Sequence, residues 1–230
     1  MLLIVASPRD EVARQLAVRW KPHDACLLTP LDLSTAGWRY DLPAFTLQGS
    51  VMGRTFADSD VRGVLSRLPR VFAEDLGHIV EADRSYVATE MTAFLIAWLS
   101  RLPCPVVNAP TPGCLAGPEW RRERWIHLAA RLGMKVRPLD IGTSIDDKIL
   151  DHQALTAHTI IGNRTFGDVH QLLARHVRRM ARVAGVDMLT AYFDGSTEDA
   201  AFVDANPWPD LANDEAAELV LQLFLRGNRC

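Results

Sequence analysis

Three oxygen-bearing side chains near the end of the chain, Asp187, Asp204 and Asn206, stand in a pattern that could hold a hard cation. Apolar, aromatic-containing runs at 184–193 and 200–209 flank the polar stretch Asp194-Gly195-Ser196-Thr197-Glu198-Asp199. An Asp-Gly step between two such runs reads as a β-hairpin. Side chains alternate across a strand, so Asp204 and Asn206 share a face. With the turn centred on Ser196 and Thr197, Asp187 falls opposite Asn206 and diagonal to Asp204. Two carboxylates and an amide oxygen suit Mg²⁺, above all where phosphates fill its other positions. The same residue types also serve as turn and cap residues at strand ends. Pro207 and Pro209, which cannot donate to a ladder, end the second strand.

The elements that must position these groups belong to a chain of 230 residues, 48% hydrophobic, with a net charge of −3. That length builds one large domain or two small ones. The charge gives no global basic field for nucleic acid. The runs Arg121-Arg122-Glu123-Arg124 and Arg175-His176-Val177-Arg178-Arg179 fall in helical patterns and read as solvated faces. Cys26, Cys104, Cys114 and Cys230 show no C-x-x-C spacing, and the apolar start at 1–7 is too short for a secretory signal. Reduced thiols in a cytoplasmic protein are expected. The apolar run 91–99 is too short to span a membrane. The seven histidines form no H-E-x-x-H set, so zinc is not expected. No G-x-S-x-G elbow supports a hydrolase, and no Gly-rich fingerprint follows the first strand. Neither NAD nor haem is called for.

In chain order, 1–6 reads as a buried strand. A helix follows to about Trp20, capped at Ser7 with Pro8 in its first position. A strand at 25–30 completes a βαβ opening that points to a parallel sheet. Short strands at 38–45 and 47–56 are expected around a Gln48-Gly49-Ser50 turn, then a strand at 63–69. Helically spaced Val87, Met91, Phe94, Leu95, Trp98 and Leu99 predict a core-facing helix over 82–102. A strand at 104–108 leads to Pro110-Thr111-Pro112-Gly113, the expected boundary between domains 1–112 and 113–230. The second half reads as a helix over 118–132, a strand at 134–138, a hairpin strand at 159–166, a helix over 168–184, the hairpin and an amphipathic helix over 214–225.

Gly185-Val186-Asp187-Met188-Leu189 followed by Val203-Asp204-Ala205-Asn206-Pro207 resembles the C-terminal metal hairpin of ATP-grasp proteins. The likeness implies that Asp187, Asp204 and Asn206 hold the Mg²⁺ of MgATP. The hairpin is longer than usual here, and the usual spacing would put Ala191 at the first ligand. Leu65-Ser66-Arg67-Leu68-Pro69, Tyr86-Val87-Ala88-Thr89-Glu90 and Val106-Val107-Asn108-Ala109-Pro110 resemble the preATP-grasp domain of the peptide-modifying, RimK-like ligase branch. Tyr86 and Glu90 share a helix face and are read as partners of Arg67 or as loop caps. Arg122 occupies the place of an ATP-phosphate lysine, keeping the charge but not the point-charge geometry.

The fold this implies is α/β: a Rossmann-like preATP-grasp domain followed by a truncated α+β ATP-grasp remnant. The truncation lies between Pro138 and Ala157, where the family carries a second nucleotide lysine, a Gly-rich lid and the adenine edge. Two functions follow as expectations. One is a reduced relative of ATP-dependent carboxylate–amine ligases, with a remnant ATP and Mg²⁺ site and little activity alone. The first would be completed by a partner subunit or as a homodimer; the other is a non-catalytic, pseudoenzyme-like relative that binds a peptide, protein or small ligand, or works as an accessory subunit. No catalytic residue is assigned.

Overall fold

The computed structural model of the chain describes residues 1–41, 46–138 and 152–227. They form two compact units: Met1–Pro118 with Asp210–Cys230, and Glu119–Pro209. The sequence pointed instead to a single division near Pro112.

The first unit is built on a parallel sheet of order β2-β1-β6-β7. Its strands are β1 (Leu2–Val5), β2 (Ala25–Leu28), β6 (Gly63–Ser66) and β7 (Val106–Val107). Strand β1 is apolar throughout and lies between β2 and β6, as a strand buried on both faces must. Helix α1 (Glu11–Arg19) starts later than the Ser7-Pro8 signal suggests. Its cap is Asp10, whose carboxylate accepts from Ala13 N at 2.9 Å. The same carboxylate takes Arg67 Nε at 2.8 Å, so one side chain caps a helix and ties it to the loop after β6. Arg67 therefore pairs with Asp10, while Tyr86 and Glu90 stand exposed on α3 (Glu81–Leu99).

A short helix α2 (Pro30–Leu33) leads to an antiparallel sheet of β3 (Arg39–Asp41), β4 (Thr46–Val51) and β5 (Arg54–Ala57). Its tight turn is Met52-Gly53, both at positive φ, as a two-residue hairpin connection requires. The expected turn at Gln48-Gly49-Ser50 is instead strand. Gly49 is there for close packing: a Cβ would come within 2.5 Å of the Phe56 ring and 2.9 Å of the Trp38 ring. Helix α6 (Asp214–Gly227), last in sequence, belongs to this unit. Phe224 meets Trp20 edge-on at 6.1 Å and packs on Gly63, where a Cβ would lie 2.3 Å from the ring.

The second unit is an antiparallel sheet of order β11-β10-β8-β9. It comprises β8 (Thr156–Ile161), β9 (Arg164–Phe166), β10 (Met188–Phe193) and β11 (Phe202–Asn206), with helices α4 (Arg122–Arg131) and α5 (Gln171–Ala184). Trp125, Ala129, Val177 and Met180 from the helices share a core with Ile160, Leu189, Ala191, Phe193 and Phe202 from the strands. The expected strand at 134–138 reduces to one bridge, Val136 to Phe202, flanked by hydrogen bonds through Lys135 and Arg137. The architecture is thus mixed α/β, with one parallel and two antiparallel sheets among the described residues. Among the described residues no helix is long and apolar enough to cross a membrane.

Candidate functional site

The hairpin exists, but its register differs from the expected one. Thr190 faces Asn206, Ala191 faces Ala205, Tyr192 faces Asp204 and Phe193 faces Phe202. The ladder skips Val203, so Val203 is the extra residue of a β-bulge between Tyr192 and Phe193. The loop is longer than a turn on Ser196 and Thr197: Asp194 N donates to Ala201 O, and its carboxylate accepts from Ala201 N at 2.7 Å.

This register separates the predicted ligands. Asp204, Asn206, Thr190 and Tyr192 share one face of the sheet. The opposite face carries Leu189, Ala191 and Phe193 into the helix-covered core. Asp187 precedes β10, is exposed, and gives its backbone carbonyl to Gly162 N at 2.7 Å. It lies three residues, roughly 10 Å of strand, from the position opposite Asn206. The expected pairing of Asp187 with Asn206 is therefore corrected. The residue in that place is Thr190, whose buried hydroxyl shares a 2.8 Å hydrogen bond with Thr159.

Asp204 is held in a defined orientation. Its Oδ1 accepts from Ala205 N at 2.8 Å, and its Oδ2 lies 3.2 Å from His152 Nε2. The His152 ring packs on Tyr192 at 4.3 Å between centroids. Burial, with the Asp204 charge beside it, raises the Tyr192 phenol above its ordinary value, so it stays protonated at neutral pH. Asn206 Oδ1 accepts from Trp208 N at 2.9 Å, closing the turn into Pro207. Its second lone pair can still meet a cation. Two hard oxygens on one face, Asp204 Oδ2 and Asn206 Oδ1, are chemically suited to Mg²⁺ when phosphate oxygens complete the shell.

Arg122, the first residue of α4, sends Nε to the carbonyl of Val203 at 3.0 Å. That carbonyl belongs to the bulged residue, so Arg122 satisfies a group the regular ladder leaves over. Lys148 and the shortened connection at 139–151 lie outside the described residues. The Cys104 thiol is pushed up to about 11 by burial, which keeps it protonated and unreactive at neutral pH.

Nothing in the sequence points to His152, since no motif links it to a residue 52 positions away. Nor does the sequence single out His158, which is 3% exposed on β8 with neither ring nitrogen in a hydrogen bond of ordinary geometry. Burial lowers its pKa, the backbone of Gly167 offsets part of this, and Arg178 adds to the lowering. The folded value lies below the unfolded one, so the unfolded chain takes up the proton first. The contribution of His158 to stability is complete above about 6.5 and is lost as pH falls from there toward the folded value. Urea unfolding at pH 7.5 and 5.5 should show this loss, and His158→Leu should make the difference between the two pH values smaller. An unchanged pH difference in that variant would refute the assignment.

Among solved structures, the chain is similar to the macrocyclase MdnC of Microcystis aeruginosa MRC bound with precursor peptide MdnA. The identity is 11%, the match covers 98% of this chain and 99% of that one, and the TM-score is 0.69. A RiPP-associated ATP-grasp ligase of Chryseobacterium gregarium, in complex with ADP and a leader and core peptide, matches at 12% identity and TM-score 0.67, covering 100% and 99%. The ATP-grasp ligase PsnB, complexed with a phosphomimetic variant of minimal precursor, Mg and ADP, matches at 12% identity and TM-score 0.66, covering 99% and 97%. No family model matches, and no curated protein does. At these identities the likeness is one of fold, and the fold is that of ATP-grasp ligases.

Proposed function

We propose that this chain is a reduced relative of ATP-dependent carboxylate–amine ligases that recognises a peptide and keeps a weak Mg²⁺–nucleotide site at Asp204 and Asn206. The observation that carries this reading is the register of the hairpin. A neutral, hydrogen-bonded Thr190 stands across from Asn206, leaving Asp204 as the carboxylate on that face of β10 and β11. A site with fewer anionic ligands binds a divalent cation less tightly. Bound Mg²⁺ would draw together and neutralise phosphate oxygens there. The protein's own part is to hold Asp204 by its Ala205 hydrogen bond and Asn206 by its turn. Arg122 would bring positive charge to a phosphate only through its Nη groups, since its Nε serves Val203. A peptide partner is supported by the fold, because three solved proteins that share it were captured with a precursor peptide, a leader and core peptide, and a variant of a minimal precursor.

Thermal-shift titration with ATP and Mg²⁺ tests the nucleotide half. A ligand that binds only the folded state raises the melting temperature, by the equivalent of about 1.4 kcal/mol at ten times Kd. The expected rise needs millimolar MgATP and disappears in Asp204→Ala. A strong shift at micromolar MgATP would overturn the reduced-site reading. No shift at any concentration, beside a clear one with a precursor-like peptide, would leave peptide binding as the sole function.

A further inference from the structure

We propose that His152 is a third ligand of the cation site on β11, and that its nitrogen turns the site's preference from Mg²⁺ toward Mn²⁺. The inference rests on the Asp204–Asn206 site proposed above. Asp204 Oδ1 is occupied by Ala205 N, which leaves Oδ2 as the coordinating oxygen, and His152 Nε2 lies 3.2 Å from that atom. Imidazole nitrogen and carboxylate oxygen each sit roughly 2.0–2.2 Å from a small divalent metal. Two such ligands at about a right angle lie ~3 Å apart, which is the separation found here. The pair can therefore share an ion with little movement of either side chain.

The ring is also positioned rather than loose. Its centroid lies 4.3 Å from that of Tyr192, with the rings tilted at 45°, and Tyr192 is the cross-strand neighbour of Asp204. Asn206 follows on the same face, two residues along β11. The donor set is then one nitrogen and two oxygens, with the remaining positions open to phosphate or water. His152 is 43% exposed and Asp204 18%, so an ion can reach the pair from solvent. Oxygen-only sets suit Mg²⁺, which gives up water reluctantly and takes nitrogen poorly. Imidazole favours the first-row transition metals, and a set still dominated by oxygen points among them to Mn²⁺.

The test uses the full chain with Mn²⁺ alone as probe. Continuous-wave electron paramagnetic resonance measures free Mn²⁺, and pulsed spin-echo modulation reports a directly bound ¹⁴N. The wild type should bind Mn²⁺ with nitrogen modulation. His152→Gln should lose that modulation and about tenfold in Mn²⁺ affinity, while its Mg²⁺ affinity changes less than twofold. Because His152 is on the surface, the variant is expected to fold, and circular dichroism checks this. Mn²⁺ bound without nitrogen modulation, or equally well by His152→Gln, overturns the role of His152. If that oxygen-only binding is lost in Asp204→Ala, the Asp204–Asn206 reading still stands. Absence of Mn²⁺ binding by the wild type overturns the role of His152, while the Asp204–Asn206 reading stands or falls with the MgATP titration.

Discussion

Supplied with ATP, Mg²⁺ and a precursor-like peptide, the purified chain is expected to release ADP at close to the uncatalysed rate. Phosphoryl transfer to a carboxylate depends on preorganised donors and cations around the transferring group rather than on a protein nucleophile. On the reading proposed above, three features weaken that apparatus. The connection between Pro138 and β8 is short, consisting of residues 139–155, and Lys148 is its only lysine. Arg122 stands where a phosphate lysine is expected and spends Nε on Val203. Thr190 stands across from Asn206 without charge. Loss of one preorganised donor lowers turnover by ~10²–10³, and several losses together leave background. The measurement is ADP and AMP formation by the chain, alone and with candidate partner proteins. Vigorous turnover by the isolated chain, abolished by Asp204→Ala, would show that residues 139–155 supply what they look too few to supply.

Trp98→Ala should be the most damaging single truncation in the first unit, lowering its stability by about 3–5 kcal/mol. Trp98 is 2% exposed, and its ring meets those of Trp38, Phe56 and Phe94. These three come from α3, β5 and the segment before β3, so one side chain joins separate parts of the unit. Its indole N–H donates to Asp58 Oδ1 at 2.7 Å, and Asp58 Oδ2 accepts from Leu47 N at 2.9 Å. The truncation therefore opens a cavity and also removes a donor from a partly buried carboxylate. Trp98→Phe keeps most of the volume and should cost far less, chiefly the lost hydrogen bond at about 1 kcal/mol. Urea unfolding followed separately for each unit checks both values. Equal losses in the two variants would mean that the hydrogen bond, not ring packing, carries the effect.

Much of the fold was legible because its signals are local. The unbroken apolar run of β1, the spacing of α3 and the aromatic runs of β10 and β11 each declare their element. The failures share a physical cause: they depend on neighbours distant in sequence. Gly49 looked like a turn residue, yet it is glycine because the Phe56 and Trp38 rings press on its Cα. Ser7-Pro8 looked like a helix start, yet the cap is Asp10, whose carboxylate is also held by Arg67 from the loop after β6. In the hairpin, the loop sits later than a turn on Ser196 and Thr197, which moves the partner of Asn206 from Asp187 to position 189, and the bulge at Val203 shifts it one further, to Thr190. Asp204 and Asn206 were legible as a pair because a spacing of two puts them on one face in any register. His152 was not, since the chain between it and Asp204 offers no periodic pattern linking them.

The way α6 joins the first unit has a consequence for biosynthesis. Trp20 and Gly63 are made early, but Phe224, which packs on both, is translated only after the whole of the second unit. The second unit, Glu119–Pro209, is one uninterrupted stretch and can form all its strand pairings while the ribosome is still at work. The first unit cannot. It must wait, with Trp20 lacking Phe224, until α6 has been made. During that interval the nascent chain leaves an indole and the Gly63 end of a parallel strand without the ring that packs on them, so the two units differ in when their cores can close.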